Sequence, residues 1–347
     1  MLHDSDSWID VLQEGLGLAR AGDYDRALDH FEHARALAPS RAETACALGR
    51  EQMRRGHVEE ACALLQQAWQ RDSSLITAGT SLARCLGLDG EELGRAHAVL
   101  DEVDKLHPEE ATSRLVRSEL LLAQSRHEEA ALLAGPLQAS ANKRLANAAN
   151  LLMSRVENER GLSAVNNGGV ERAIFAFKRS SDLDPAWAAP SSNLGAAFER
   201  LGKAGRAESA YQQALQRDPD YARAWHNLAK LYRRTNDSGA DRCITRAFRA
   251  EPTDSEIAAD YAISLCALGK QDRALQALTS HATALGDLSE AWAALAIPLA
   301  AGGAGDLSRL CLRKAKARCS DPGLLRRTQA VLDPIDPNLD PNLDPTT

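Results

Sequence analysis

Asn193 and Asn227 stand 34 residues apart, and basic side chains crowd the same stretch of chain: Arg200, Arg223, His226, Lys230, Arg233 and Arg234. Another polar group, Arg155, Asn158 and Glu159, precedes them. A carboxamide donates through its NH2 and accepts through its oxygen. A row of asparagines can therefore pair with both polar groups of an extended peptide backbone. Arginine holds a carboxylate by two parallel hydrogen bonds, and lysine holds it as a point charge. These residue types predict recognition of an extended acidic or polar segment without covalent chemistry.

Residues that would make or break bonds lack a matching arrangement. His30 and His33 lie one helical turn apart, but no carboxylate or thiol completes the ligand set a metal needs. The seven cysteines (46, 62, 85, 243, 266, 311, 319) contain no Cys-x-x-Cys pair. Their helix positions are better explained by packing than by a Cys–His nucleophile. No Gly-x-Ser-x-Gly elbow occurs, and no glycine-rich phosphate loop follows a strand. Neither enzyme activity, nor a cofactor, nor a metal is expected.

Composition narrows the partners. A net charge of −7 argues against a general nucleic-acid binder, while leaving room for a local basic patch. No apolar run approaches the ~20 residues that span a bilayer. The first six residues, Met1 to Asp6, are acidic and lack the basic and apolar regions of a secretory signal. An odd number of scattered cysteines fits reduced thiols, so a cytoplasmic, membrane-free location is expected.

The elements that must position these groups come from a 34-residue period running from Trp8 to about Pro322. Its clearest copy is 188–221, with Leu194, Gly195, Phe198, Gly202, Ala207, Tyr211, Ala214 and Pro219 at repeat positions 7, 8, 11, 15, 20, 24, 27 and 32. The same landmarks recur as Gly15, Ala27, Phe31, Ala34 and Pro39 in 8–41, and as Gly161, Gly168, Ala173, Phe177 and Pro185 in 154–187. Trp225, Leu228, Ala229, Tyr232, Ala247 and Pro252 mark 222–254, which is one residue short. Positions 4, 7, 8 and 11 make one apolar helical stripe, and positions 20, 24 and 27 make a second. Nine copies plus nine extra residues at 145–153 account for the whole span.

This pattern resembles the tetratricopeptide repeat, a helix–turn–helix unit. The resemblance implies an all-α fold: a right-handed superhelical solenoid of about nine helical hairpins with a C-terminal capping helix over 323–332. We expect repeats 1–4 in 1–144. An extended helix, repeats 5–9 and the cap follow in 145–332. The remaining 333–347 repeats an Asp-Pro-Asn-Leu theme and should form a disordered acidic tail. Gly135-Pro136 should break the second helix of repeat 4, and Asn142 to Val165 should form one long helix. This stretch, 135–169, is either a repaired insertion or a hinge or docking element. Pro298 should kink its helix. Trp225 and Trp292 should pack in the core, and Trp187 is the aromatic expected at the surface.

In the resembled family the first helix of each hairpin lines a groove, with positions 2, 5, 6, 9, 12 and 13 facing it. On that basis the contact set is Arg155, Asn158, Asn193, Arg223, His226, Asn227, Lys230 and Arg233. Asparagines would hold backbone, and basic residues would hold acidic groups. Part of the family's carboxylate clamp is matched in type by Asn193 and Arg223. Asn158, Leu162 and Asn227 depart from it, which favours a more general acidic or polar peptide. The same charges also suit a solvated helix face. A second basic strip, Arg50, Arg54 and Arg84 with Arg20, lacks an asparagine row. The expected role is a protein-interaction scaffold or adaptor. The alternative is an accessory subunit that presents substrate to a separate catalytic chain. Self-association through terminal repeats or the tail is a further route to a partner.

Overall fold

The computed structural model describes residues 4–88, 90–108, 110–286 and 289–318, with backbone alone described at 4–7 and 91. Among them are eighteen α-helices and no strands. In chain order these are α1 (Asp4–Ala21), α2 (Tyr24–Leu37), α3 (Ala42–Arg54), α4 (Val58–Arg71), α5 (Ile76–Leu86), α6 (Leu93–Leu106), α7 (Ala111–Ala123), α8 (His127–Ala134) and α9 (Lys143–Asn166). There follow α10 (Val170–Leu183), α11 (Ala188–Arg200), α12 (Ala204–Arg217), α13 (Ala222–Arg234), α14 (Ala240–Ala250), α15 (Ser255–Ala267), α16 (Gln271–Ala284), α17 (Ser289–Ala301) and α18 (Gly305–Arg318). Two compact units divide between Arg160 and Gly161, within α9.

The hairpin follows from three local causes. First, the turn between paired helices uses a left-handed residue at repeat position 15, where glycine has no Cβ to clash. Gly22, Gly56, Gly168, Gly202, Gly269 and Gly303 all have φ between 68° and 87°. Ser125 (φ 59°) and Asn236 (φ 55°) take that role in their hairpins. Second, small residues at position 20 let the helices close. Ala27, Ala61, Ala96, Ala130, Ala173, Ala207 and Ala274 are all fully buried. Third, proline stops the second helix: α2, α10 and α12 each end two residues before Pro39, Pro185 and Pro219.

Within the hairpin, the two helices come close together at position 8. A Cβ on Gly195 would lie 2.5 Å from the Tyr211 ring, and one on Gly161 would lie 2.4 Å from Phe177. Gly15 faces Phe31 in the same way at 2.7 Å. Each ring stands sixteen residues after its glycine, so the repeat length alone brings them together.

In the first unit, Trp8, Leu12 and Phe31 pack between α1, α2 and α3. Leu65, Trp69, Leu82, Leu100 and Val103 continue that packing through α6. In the second unit, Phe177, Phe198, Tyr211, Leu228, Ile244 and Ile257 form one cluster. Leu278, Trp292, Leu295, Leu299 and Leu312 form the next. Where position 8 or 20 carries a hydroxyl, it is satisfied across the hairpin: Ser118 Oγ donates to Ala130 O at 2.6 Å, and Ser308 Oγ to Ala296 O at 2.7 Å.

Two expected irregularities, the break at Gly135 and the long helix after it, are present. α8 has only eight residues and gives way at Gly135 to a 3-10 turn, Gly135–Ala139. α9 then runs for 24 residues. α17 continues through Pro298. Trp292 is buried in the core, and Trp225 packs half-buried against its neighbouring cluster, as expected. One aromatic expectation is corrected: Trp187 is half-buried, and among the described residues Phe175 (67%) and Tyr24 (38%) are the exposed aromatics. The capping helix and acidic tail expected over 323–347 lie outside the described residues.

Candidate functional site

In the second unit, α11, α13 and α15 are the first helices of three successive hairpins. α13 buries Ala224, Leu228 and Leu231 on one side and Ala222, His226 and Ala229 on another, because it packs against more than one neighbouring helix. The intervening positions turn Arg223, Asn227, Lys230, Arg233 and Arg234 outward. Arg233 and Arg234 also close the helix, where its negative end favours cations.

A cleft of about 680 Å3 opens here. Glu199 and Arg200 of α11 line it with Tyr211 of α12, Asn227, Lys230, Arg233 and Arg234 of α13, and Asp260 of α15. Four cations thus face two carboxylates. The carboxylates lie deeper: the Glu199 and Asp260 side chains are 14% and 16% exposed, against 41% for Lys230 and 62% for Arg234. The acidic groups form a floor, and the basic tips face solvent.

Each floor carboxylate is held from several sides. Asp260 Oδ2 accepts from His226 Nε2 at 2.7 Å and from Arg233 Nη2 at 2.9 Å. Burial alone would raise its pKa, but the His226 hydrogen bond and the Arg233 charge outweigh burial and hold it below the ordinary value. Glu199 accepts from Tyr211 Oη at 2.5 Å and pairs with Arg234. Burial pushes the Tyr211 phenol up, so it stays protonated and donates. On the rim, Lys230 pairs with Glu256, and Arg223 approaches Asp254 at 3.6 Å. An acidic ligand must therefore compete with the chain's own carboxylates for these cations.

The predicted contact residues separate into distinct settings. Asn227, Lys230 and Arg233 line the cleft together. Arg223 is exposed nearby on α13, and Asn193 is half-buried on α11 with an interaction of its own. His226 is 1% exposed and is spent on Asp260 rather than presented to solvent. Arg155 and Asn158 belong to the first unit. Arg155 is exposed and borders a separate cleft with Arg84, Leu88 and Glu119, while Asn158 is 4% exposed. The sequence pattern did not single out Glu199 and Asp260 as a floor, although Glu199 stands one repeat before Arg233 and Asp260 one repeat after His226.

Other candidates are occupied by ordinary packing. His30 sits 3.3 Å from Glu14 and 2.8 Å from the Arg26 carbonyl. Arg54 pairs with Glu51 and stacks on Tyr24, and Arg84 pairs with Glu119 at 2.7 Å. No helix among the described residues is long and apolar enough to cross a membrane.

Paired helices repeating every 34 residues, with groups from successive hairpins lining one cleft, define a helical-repeat scaffold. Tetratricopeptide repeat family models match residues 18–85, 88–142 and 192–231. The chain is a tetratricopeptide repeat protein, a class whose repeats mediate protein–protein interaction. No curated protein matches the sequence. Among solved structures, a monomeric mutant of IFIT1 with Gppp-AAAA is 13% identical at a TM-score of 0.53, covering 89% of this chain and 71% of that one. The human IFIT1 dimer with m7Gppp-AAAA is 12% identical at 0.50, covering 79% and 71%. Pseudomonas aeruginosa PilF is 21% identical at 0.48, covering 61% and 93%. At these identities the likeness is one of fold.

Proposed function

We propose that this scaffold is non-catalytic and takes an extended acidic or polar peptide segment in the α11–α13–α15 cleft. The observation that carries the reading is the arrangement of Arg200, Lys230, Arg233 and Arg234 around Asn227, above the buried carboxylates Glu199 and Asp260. Asn227 has no hydrogen-bond partner among the described residues, which leaves both halves of its carboxamide for a ligand backbone. The cations exchange intrachain carboxylates for those of the ligand. Net affinity then reflects the difference between two sets of ion pairs, and it falls with salt. Arg155 and Asn158 fall outside this proposed contact set. Asn193, Arg223 and His226 serve as its flank and support.

Fluorescence anisotropy with labelled peptides tests this. An extended peptide alternating glutamate and serine should bind better than lysine–serine and serine-only counterparts. Lys230→Glu with Arg234→Glu should weaken it about tenfold or more, equivalent to about 1.4 kcal/mol. Equal binding of the three peptides, or indifference to the paired reversal, would remove the cleft from the account.

A further inference from the structure

A different cleft, of about 590 Å3, lies on the side of the second helices, with α12 and α14 as walls and α13 as floor. Repeat 7 opens it. Its turn runs from Thr235 to Gly239, and α14 has 11 residues where α12 has 14. The missing turn at the start of α14 leaves Tyr232 half-buried. Its apolar lining comes from Trp225 and Leu228 on the α13 floor and from Leu215 and Pro219 on the α12 side.

The electrostatics differ from those of the first cleft. Arg242 and Arg246 line this one, and no carboxylate does. Among the described residues neither arginine forms an ion pair. Arg246 lies over the Trp225 ring at 4.9 Å, and Trp225 Nε1 is already spent on Pro219 O at 2.8 Å. Glu208 stands beyond one end and accepts from Tyr232 Oη at 2.7 Å. Two uncompensated guanidinium groups over an apolar, aromatic floor suit an acidic segment carrying aliphatic side chains.

The chain holds such a segment. Residues 333–347 contain Asp333, Asp336, Asp340 and Asp344, interleaved with Ile335, Leu339 and Leu343, and no lysine or arginine. Four prolines in the same stretch fix φ and limit the entropy lost on docking. Reach is sufficient. The fifteen residues from Arg318 to Asp333 extend to about 50 Å at ~3.3–3.6 Å each, and to about 30 Å with the ten residues 323–332 helical at ~1.5 Å each. Two hairpins separate α18 from α14, or roughly 20–25 Å at one helix diameter per hairpin. We propose that residues 333–347 dock in their own chain's α12–α14 cleft, with aspartates on Arg242 and Arg246 and a leucine against Trp225 and Leu228. This proposal is independent of peptide binding at the α11–α13–α15 cleft.

Arginine-specific labelling by phenylglyoxal, followed by mass spectrometry, tests it on the full chain. The comparison is a full chain with Asp333→Asn, Asp336→Asn, Asp340→Asn and Asp344→Asn, which leaves the described residues untouched. Arg242 and Arg246 should react at least about fivefold faster in the asparagine chain. A synthetic peptide of residues 333–347 should restore protection, and the rates should not depend on protein concentration. Equal rates in the two chains would overturn the proposal. So would a change confined to Arg200, Arg233 and Arg234, or protection that grows with protein concentration, which would place the segment on a second copy.

Discussion

Asp260→Asn should lower stability and raise affinity for acidic peptide together, because Asp260 is both a structural acceptor and a competitor for the ligand's cations. Its Oδ2 accepts from His226 at 2.7 Å and Arg233 at 2.9 Å, and its side chain is 16% exposed. Hydrogen bonds to a charged group contribute about 1.5–3 kcal/mol each. Asparagine still offers one acceptor oxygen, and the Arg233 side chain, 35% exposed, regains water instead of being stranded. The expected loss is therefore about 1–3 kcal/mol, short of the sum of two charged bonds. Freeing Arg233 from a partly exposed pair yields up to about 1 kcal/mol for an acidic ligand, or roughly fivefold in affinity. Urea unfolding followed by circular dichroism reads the first as a lower midpoint at unchanged slope, and peptide anisotropy reads the second. The parent should also lose stability in acid in a way the variant does not. The Asp260 pKa is lowered from its ordinary 3.8 by folding, so its contribution is complete above that value and disappears as pH falls through the lowered one. A variant as stable as the parent, with unchanged acidic-peptide affinity, would refute this reasoning.

Three further outcomes follow from packing. Gly15 and Gly17 share α1, but a Cβ at Gly15 would meet Phe31 at 2.7 Å while one at Gly17 meets nothing within 4 Å. Gly17→Ala should stabilise by about 0.5–1 kcal/mol through helix propensity. Gly15→Ala should be less stable than Gly17→Ala by about 1–3 kcal/mol, read from urea midpoints. Ser125 holds a φ of 59° where other hairpins use glycine, so Ser125→Gly should stabilise by up to about 1 kcal/mol in the same assay. Limited trypsin digestion should cut first at Lys143 or Arg144, exposed residues that open α9 after the non-helical stretch ending at Asn142; first cuts elsewhere would argue against a weak point there.

The hairpin fold was legible because its causes are local and repeat. Glycine or a small residue at position 8, an aromatic sixteen residues later, and proline at position 32 each act within one unit. The break at Gly135-Pro136 was legible for the same reason, since proline removes a helix bond wherever it falls. The site was legible only in part. Repeat positions set Asn227, Lys230 and Arg233 toward a groove lined by first helices, but they could not report which neighbours compete for each side chain. His226 sits one residue from Asn227, and a helix turns about 100° per residue, which carries it inward to Asp260. Asn158 is likewise buried, at 4% exposed on α9. The α12–α14 cleft has no motif to mark it, because its cause is a shortened second helix, 11 residues in α14 against 14 in α12.

Whether a peptide lies along α11 and α13 is read by photo-cross-linking: an acidic peptide carrying a benzophenone side chain is linked to the full chain and its adducts are mapped by mass spectrometry. Adducts should concentrate on Ala196–Arg200 and Asn227–Arg234, and should fall away in Lys230→Glu with Arg234→Glu. Adducts spread over other helices, or undiminished in that variant, would contradict the account.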